Sequence, residues 1–271
     1  MKILITGAAS GFGRGAALEL ARRGHEVTAG VHIAPQATTL LSEAAEAGVT
    51  VETIVLDITS MEDQQYAARR EVDVLINNAG VMEAGPVAEI PLRRVRHNFD
   101  VNVFGTLGMC QAFAPRMVAR GTGKIINVTS MGGLVTVPFA AVYTATKHAL
   151  ESLTEGLKAE LAGTGVEICT VNPGLFGTGF NDRGAETMLR WFDPTSSLSR
   201  PELLAGLSAG LEGQLDPAMV IDALVTIAEE QSSKFRNVLP VEIIPWIKAI
   251  QERTWDASKD DSLFINPAEL G

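Results

Sequence analysis

Cysteine is nearly absent, with two residues in 271. Cys110 falls in an apolar helical stretch and Cys169 in the strand-like run 166–172. Both read as buried reduced thiols, because a disulfide framework needs a denser pattern. Histidine is also sparse. His25, His32, His97 and His148 have neither metal-ligand spacing nor acidic companions that would complete a site, so no metal is expected. Aromatic residues make up 6% of the chain against 46% hydrophobic residues, which implies an aliphatic core where Ala and Gly let helices approach a sheet closely. No apolar run reaches membrane-spanning length. The start, Met1 to Gly7, is too short and too soon followed by glycine for a signal peptide, so the expectation is a cytoplasmic protein. Positive charge is in deficit: 22 Lys and Arg against 32 Asp and Glu give a formal charge of −10. Such a chain repels a phosphate backbone and an anionic lipid surface, so neither nucleic acid nor membrane is the expected partner.

What the sequence does contain is alternation. Short apolar runs that read as buried strands occur at 2–6, 25–31, 51–56, 72–76, 124–128 and 166–171, with a last one near 237–242. Between them lie helical patterns at 13–23, 35–47, 61–69, 92–120 and 142–161, and further ones after Pro217 and around 247–255. Repeated strand–helix–strand units with near-continuous apolar strands imply an α/β fold, a doubly wound parallel sheet of Rossmann type in three α/β/α layers. One domain spanning 1–271 is expected, since an α/β layer fold can use that length around a single core. The stretch 179–217, with Pro194, Pro201 and clustered Ser and Gly, has weak periodicity and reads as a substrate lid or a surface insertion.

Ligands of such folds sit beyond the carboxyl ends of the strands, and the informative residues fall there. Gly7, Gly11 and Gly13, with Ser10 and Phe12 between them, follow the first strand and open a helix. Their backbone N–H groups can close on a pyrophosphate at the helix N-terminus. A carboxylate at the end of the second strand would accept from a ribose 2′-OH and repel a 2′-phosphate. Gly30 occupies that place, and His32 follows, so the reading favours NADP(H) over NAD(H); His32 also suits a plain surface role. Tyr143 and Lys147, four apart on a helix, share one face. Bringing a phenol from about 10 to about 7 takes roughly 4 kcal/mol. One cation about 4 Å away supplies about that at an effective dielectric near 20, before desolvation subtracts.

The Thr-Gly-xxx-Gly-x-Gly spacing from Thr6, Asn77-Asn78-Ala79-Gly80, Ser130, Tyr143-xxx-Lys147 and Pro173-Gly174 together resemble the short-chain dehydrogenase/reductase family, over about Lys2 to Phe180. The resemblance implies a nicotinamide-dependent alcohol dehydrogenase or ketone reductase. Ser130 and Tyr143 would bind the carbonyl oxygen, Tyr143 would give the proton, and Lys147 would hold the nicotinamide ribose and lower the tyrosine pKa. Asn102 would support a water relay. Asp57 would meet the adenine, Asn78 and Ala79 would line the adenosine side, Thr178 would help hold the nicotinamide half, and Ile58, Gly80, Pro173 and Gly174 would also belong to the cofactor site. Met82, Met131, Leu134, Val137, Leu175, Phe176, Phe180, Met188 and Trp191 are the pocket candidates, and their apolar character favours a hydrophobic ketone or secondary alcohol. The interval from Asp57 to Asn77 is short for the family, so a reduced third helix is expected. The end 238–245 lacks the glycine-rich finish of the family's tetramers, which favours a homodimer through the helices at 92–120 and 142–161. Two other readings stay open: a non-catalytic NADP-binding regulator, and an epimerase or lyase on the same fold.

Overall fold

Side chains alternate across a strand, and in β1 (Lys2–Thr6) this sends Ile3 and Ile5 to one face of the sheet and Leu4 to the other. The computed structural model of the chain describes residues 1–199, 213–230 and 234–263. Six further strands, β2 (Glu26–Val31), β3 (Glu52–Val55), β4 (Val74–Asn77), β5 (Gly123–Val128), β6 (Val166–Pro173) and β7 (Arg236–Leu239), complete a parallel sheet in the order β3-β2-β1-β4-β5-β6-β7. On the Ile3 face lie α1 (Gly11–Arg22), α2 (Ala34–Glu46) and α8 (Ala218–Glu229), which bury Leu20, Leu40 and Leu224 against the sheet. Against the Leu4 face pack α3 (Met61–Ala67), α5 (Thr106–Arg120) and α6 (Ala141–Glu160), contributing Ala67, Met109, Phe113 and Leu157. The fold is thus doubly wound in three layers, and each fully buried aliphatic side chain adds roughly 1.5–3 kcal/mol.

Strand order reverses between β1 and β4, which opens a crevice above their carboxyl ends. The third helix is short, as expected, at seven residues. The helix expected over 92–120 is interrupted. It runs as α4 (Leu92–Phe99), a π-helical turn Asp100–Gly105, and α5. A methyl group at Gly105 would lie 2.9 Å from Ile58 Cγ1 and 3.1 Å from the Ile58 carbonyl, so the missing side chain lets this turn press against the β3–α3 loop. Widening the turn re-aims its side chains, which is how π insertions serve sites. After β6 come α7 (Phe180–Met188), α8, β7 and α9 (Ile244–Asp256). Within the expected lid, 179–199 and 213–217 are described; residues 200–212, including Pro201, lie outside the described residues.

Candidate active site

A cavity of about 1350 Å³ fills the crevice. Its first end is built from glycine. Gly7 stands at φ +65°, and a methyl group there would lie 2.6 Å from Ala79 Cα. One at Gly13 would lie 2.6 Å from the Gly7 carbonyl, so Gly13 serves close helix-to-strand packing and does not itself line the cavity. Ser10 precedes α1 in extended conformation and supplies no side-chain cap. The first-turn N–H groups therefore have no partner within the helix, and with the positive end of its dipole they suit a phosphate group. Thr6 secures the opposite rim: its hydroxyl accepts from the backbone N–H groups of Asn78 (3.1 Å) and Ala79 (3.0 Å). Asn78 donates back to the carbonyls of Thr6 (3.0 Å) and Gly7 (3.1 Å).

At the end of β2, Gly30 lies inside the sheet under Leu56 and does not reach the cavity. His32 is the exposed residue that does. Asp57 and Ile58 also line the cavity. Burial pushes the Asp57 carboxyl upward, but the Thr59 hydroxyl (2.7 Å) and N–H (2.9 Å), aided by His32 and His97, hold it below its ordinary value.

At the other end, Ser130, Tyr143 and Lys147 come together from β5 and α6. The Ser130 hydroxyl accepts from the Gly132 N–H at 3.0 Å and donates to the Pro173 carbonyl at only 3.4 Å, so its proton is loosely held. Lys147 donates to the Val128 carbonyl at 3.0 Å and stands 5.7 Å from the centre of the Tyr143 ring. Burial pushes the Tyr143 phenol up to about 12, with Ser130 offsetting part of that, and it pulls Lys147 down to about 8 against the opposing charge of Glu151. The net shift of the phenol is upward, because desolvation outweighs what Ser130 offsets.

Asn102 is fully buried and does not line the cavity. Its side chain clamps Val81, accepting from the N–H and donating to the carbonyl, both at 2.8 Å, and it donates to Thr146 at 2.9 Å. With both amide protons engaged, the side chain supports the loop after β4.

Met82, Met131, Val137, Leu175, Phe176, Phe180, Pro173, Gly174 and Thr178 all line the cavity. Phe180 also packs against Tyr143, with ring centres 5.8 Å apart and the planes tilted by 57°. Three pocket candidates do not line it. Leu134 joins a satellite core with Trp246, Ile247 and Ile250. Trp191 and Met188 pack over Gly85, because the indole N–H needs a partner and finds the buried carboxylate of Glu83 at 3.0 Å. Sequence reasoning missed His97, Phe104, Phe139, Arg183 and Trp246, which do line the cavity. Among the described residues, no group of three or more His, Cys, Asp or Glu side chains is placed to hold a metal ion, and no helix is long and apolar enough to cross a membrane.

A glycine-cradled helix terminus at a strand-order reversal, followed by serine, tyrosine and lysine in one crevice, defines a dinucleotide-binding oxidoreductase site. Residues 1–188 match the family model described as short chain dehydrogenase, and the chain belongs to that family. An uncharacterized oxidoreductase of Myxococcus xanthus is 39% identical over 64% of this chain and 70% of its own length. A 3-ketodihydrosphingosine reductase of Bacteroides thetaiotaomicron is 36% identical over 66% of this chain and 65% of its own. Among solved structures, a short chain dehydrogenase/reductase of Burkholderia phymatum in complex with NAD superposes with a TM-score of 0.80 at 26% identity, covering 97% of this chain and 98% of that one. A short-chain dehydrogenase of Sphingobium yanoikuyae in complex with NADPH gives 0.73 at 25% identity, covering 96% and 98%. The protein is an NAD(P)-dependent oxidoreductase.

Proposed function

We propose that the protein reduces a hydrophobic ketone, or oxidises the matching secondary alcohol, with Tyr143 as proton donor and acceptor. The observation that carries this reading is the convergence of the Ser130 hydroxyl and the Tyr143 phenol on a cavity walled by Met82, Met131, Val137 and Phe180. The name of the Bacteroides relative, which specifies a 3-keto substrate, supports a carbonyl of this kind. A nicotinamide held there would supply or take the hydride. Gly7, Ser10, Gly11 and Phe12 would hold its pyrophosphate, Asp57 and Ile58 its adenine, and Lys147 its nicotinamide ribose. Ser130 and Tyr143 donate hydrogen bonds to the carbonyl oxygen, and their dipoles answer the negative charge that develops there. Tyr143 then gives its proton to that oxygen.

NADP(H) is the preferred cofactor in this reading: β2 ends without a carboxylate at the cavity, and His32 presents an imidazole there. We further read the chain as one domain that works in the cytoplasm as a homodimer paired through the α4–α5 and α6 helices. The test is to titrate the purified protein with NADPH and NADH by tryptophan quenching, then follow nicotinamide absorbance with a panel of apolar ketones. Tighter NADPH binding and ketone-dependent oxidation support the reading. Cofactor that binds without net turnover of any carbonyl supports an epimerase or lyase, and binding of neither nucleotide overturns the oxidoreductase assignment of this cavity.

A further inference from the structure

α6 carries Tyr143, Lys147 and Glu151 at i, i+4 and i+8, on one face of the helix. The third takes no part in the chemistry proposed above. It is nevertheless a carboxylate only 3% exposed, and a buried charge is costly unless its surroundings answer it. Oε1 accepts from the Thr129 hydroxyl at 2.6 Å and from the Asn172 amide at 2.7 Å. Oε2 accepts from Arg236 Nε at 3.0 Å, and the same guanidinium reaches Glu155 at 3.1 Å. Asn172 also donates to Thr129 Oγ1 at 2.7 Å, while its own oxygen accepts from the Thr170 hydroxyl at 3.1 Å. The bond to Glu151 fixes which way round the amide stands, since an ionised carboxylate only accepts and so must face the amide nitrogen.

Both partners of Oε1 are one residue away from the reacting end. Thr129 precedes Ser130, and Asn172 precedes Pro173, whose carbonyl takes the Ser130 hydroxyl. A methyl group at Gly133 would lie 3.0 Å from Glu151 Cγ and 2.9 Å from the Lys147 carbonyl, so the turn after Ser130 is seated directly on this stretch of α6. The charged and titratable groups facing the pair Lys147 and Glu151 are Tyr143 and Glu155 from α6 and Arg236 from β7. From the π turn and β5 come Asn102 and the Val128 carbonyl, which carry no charge.

We propose, resting on the ketone reductase reading, that Glu151 is a positioning residue. One carboxylate oxygen ties together the strand ends that carry Ser130 and Pro173, and the charge of the group keeps the Lys147 amine protonated beneath Tyr143. Arg236, bonded to Oε2 of Glu151, sets how much of that charge Lys147 feels.

Two variants with opposite expected signs test this. Glu151→Gln keeps the shape and removes the charge; Arg236→Gln alters a half-exposed residue and leaves Glu151 with less compensation. The titration of Lys147 is followed in the cofactor-free protein by NMR of 13Cε-labelled lysine, with Lys147→Arg to assign the signal. In Glu151→Gln the titration moves about one pH unit to lower pH, and in Arg236→Gln it moves by a smaller amount to higher pH. The alkaline limb of kcat/KM follows in the same two directions. An unchanged Lys147 titration in both variants, with only a lower melting temperature, overturns the proposal. If Glu151→Gln does not fold, the upward shift in Arg236→Gln still decides the matter. Shifted titrations in a protein that reduces no carbonyl would overturn the ketone reductase reading and leave the effect of Glu151 on Lys147 standing.

Discussion

Lys147 holds its ammonium 5.7 Å from the centre of the Tyr143 ring, yet its hydrogen bond goes to the Val128 carbonyl at 3.0 Å. The cation is near the phenol without neutralising the cost of a phenolate. With the phenol pushed up to about 12, Tyr143 is protonated at neutral pH and ready to donate. Taking a proton from an alcohol requires the other form. Ketone reduction is therefore expected to hold its rate towards the acid side, and alcohol oxidation to rise as pH increases. Rates in both directions between about pH 6 and pH 10 check this. An oxidation rate that falls with pH across that range would contradict it.

Lys147 is itself a stability cost. Its folded pKa of about 8 lies below its ordinary 10.5, so the folded state penalises the protonated amine. The sign follows from proton binding: the penalty is complete below pH 8 and fades as pH rises towards 10.5, where the unfolded chain also loses the proton. Lys147→Met should stabilise the fold by about 2 kcal/mol at pH 7, after allowance for the lost bond to Val128, while abolishing turnover. Urea denaturation at pH 7 and again near pH 10 should show the gain shrinking.

Glu83 fastens the segment after α7 to the loop after β4. It is 5% exposed and accepts from Trp191 Nε1 at 3.0 Å and from Arg94 Nη1 at 3.1 Å. Trp191→Phe leaves that carboxylate one donor short and should cost about 1–2 kcal/mol in chemical denaturation. Because Trp191 does not line the cavity, nucleotide affinity should be unchanged. Gly85→Ala should be worse, since φ is +136° and the new methyl group would lie 2.4 Å from the indole.

His32 directly follows β2, is exposed and lines the cavity. His32→Arg should favour NADPH over NADH by about a further tenfold, and His32→Asp should reverse the preference. Fluorescence titration of each variant with both nucleotides measures it.

The strands were legible because a parallel sheet covered on both faces reads as near-continuous apolar runs, as in Lys2–Thr6 and Val74–Asn77. Tyr143 and Lys147 were legible because helical spacing alone puts them on one face. The π turn was not: the pattern of 92–120 continues through it, and the cause, the contact of Gly105 with Ile58, is tertiary. Trp191 and Met188 were assigned to the pocket on size and apolarity, which do not say which side of a loop a residue faces. His97 and Trp246 reach the cavity from α4 and α9, whose paths depend on packing that no local pattern encodes. Glu151 is one turn beyond Lys147, but a charge at helical spacing ordinarily marks a solvated face, and only the arrival of Thr129, Asn172 and Arg236 makes it a buried one.

The central claim is that Tyr143 moves the proton. Tyr143→Phe keeps the ring against Phe180 and removes only the hydroxyl, so nucleotide affinity should stay within about twofold while ketone turnover falls about a thousandfold. Turnover near that of the unaltered protein, with nucleotide still bound, would contradict the account.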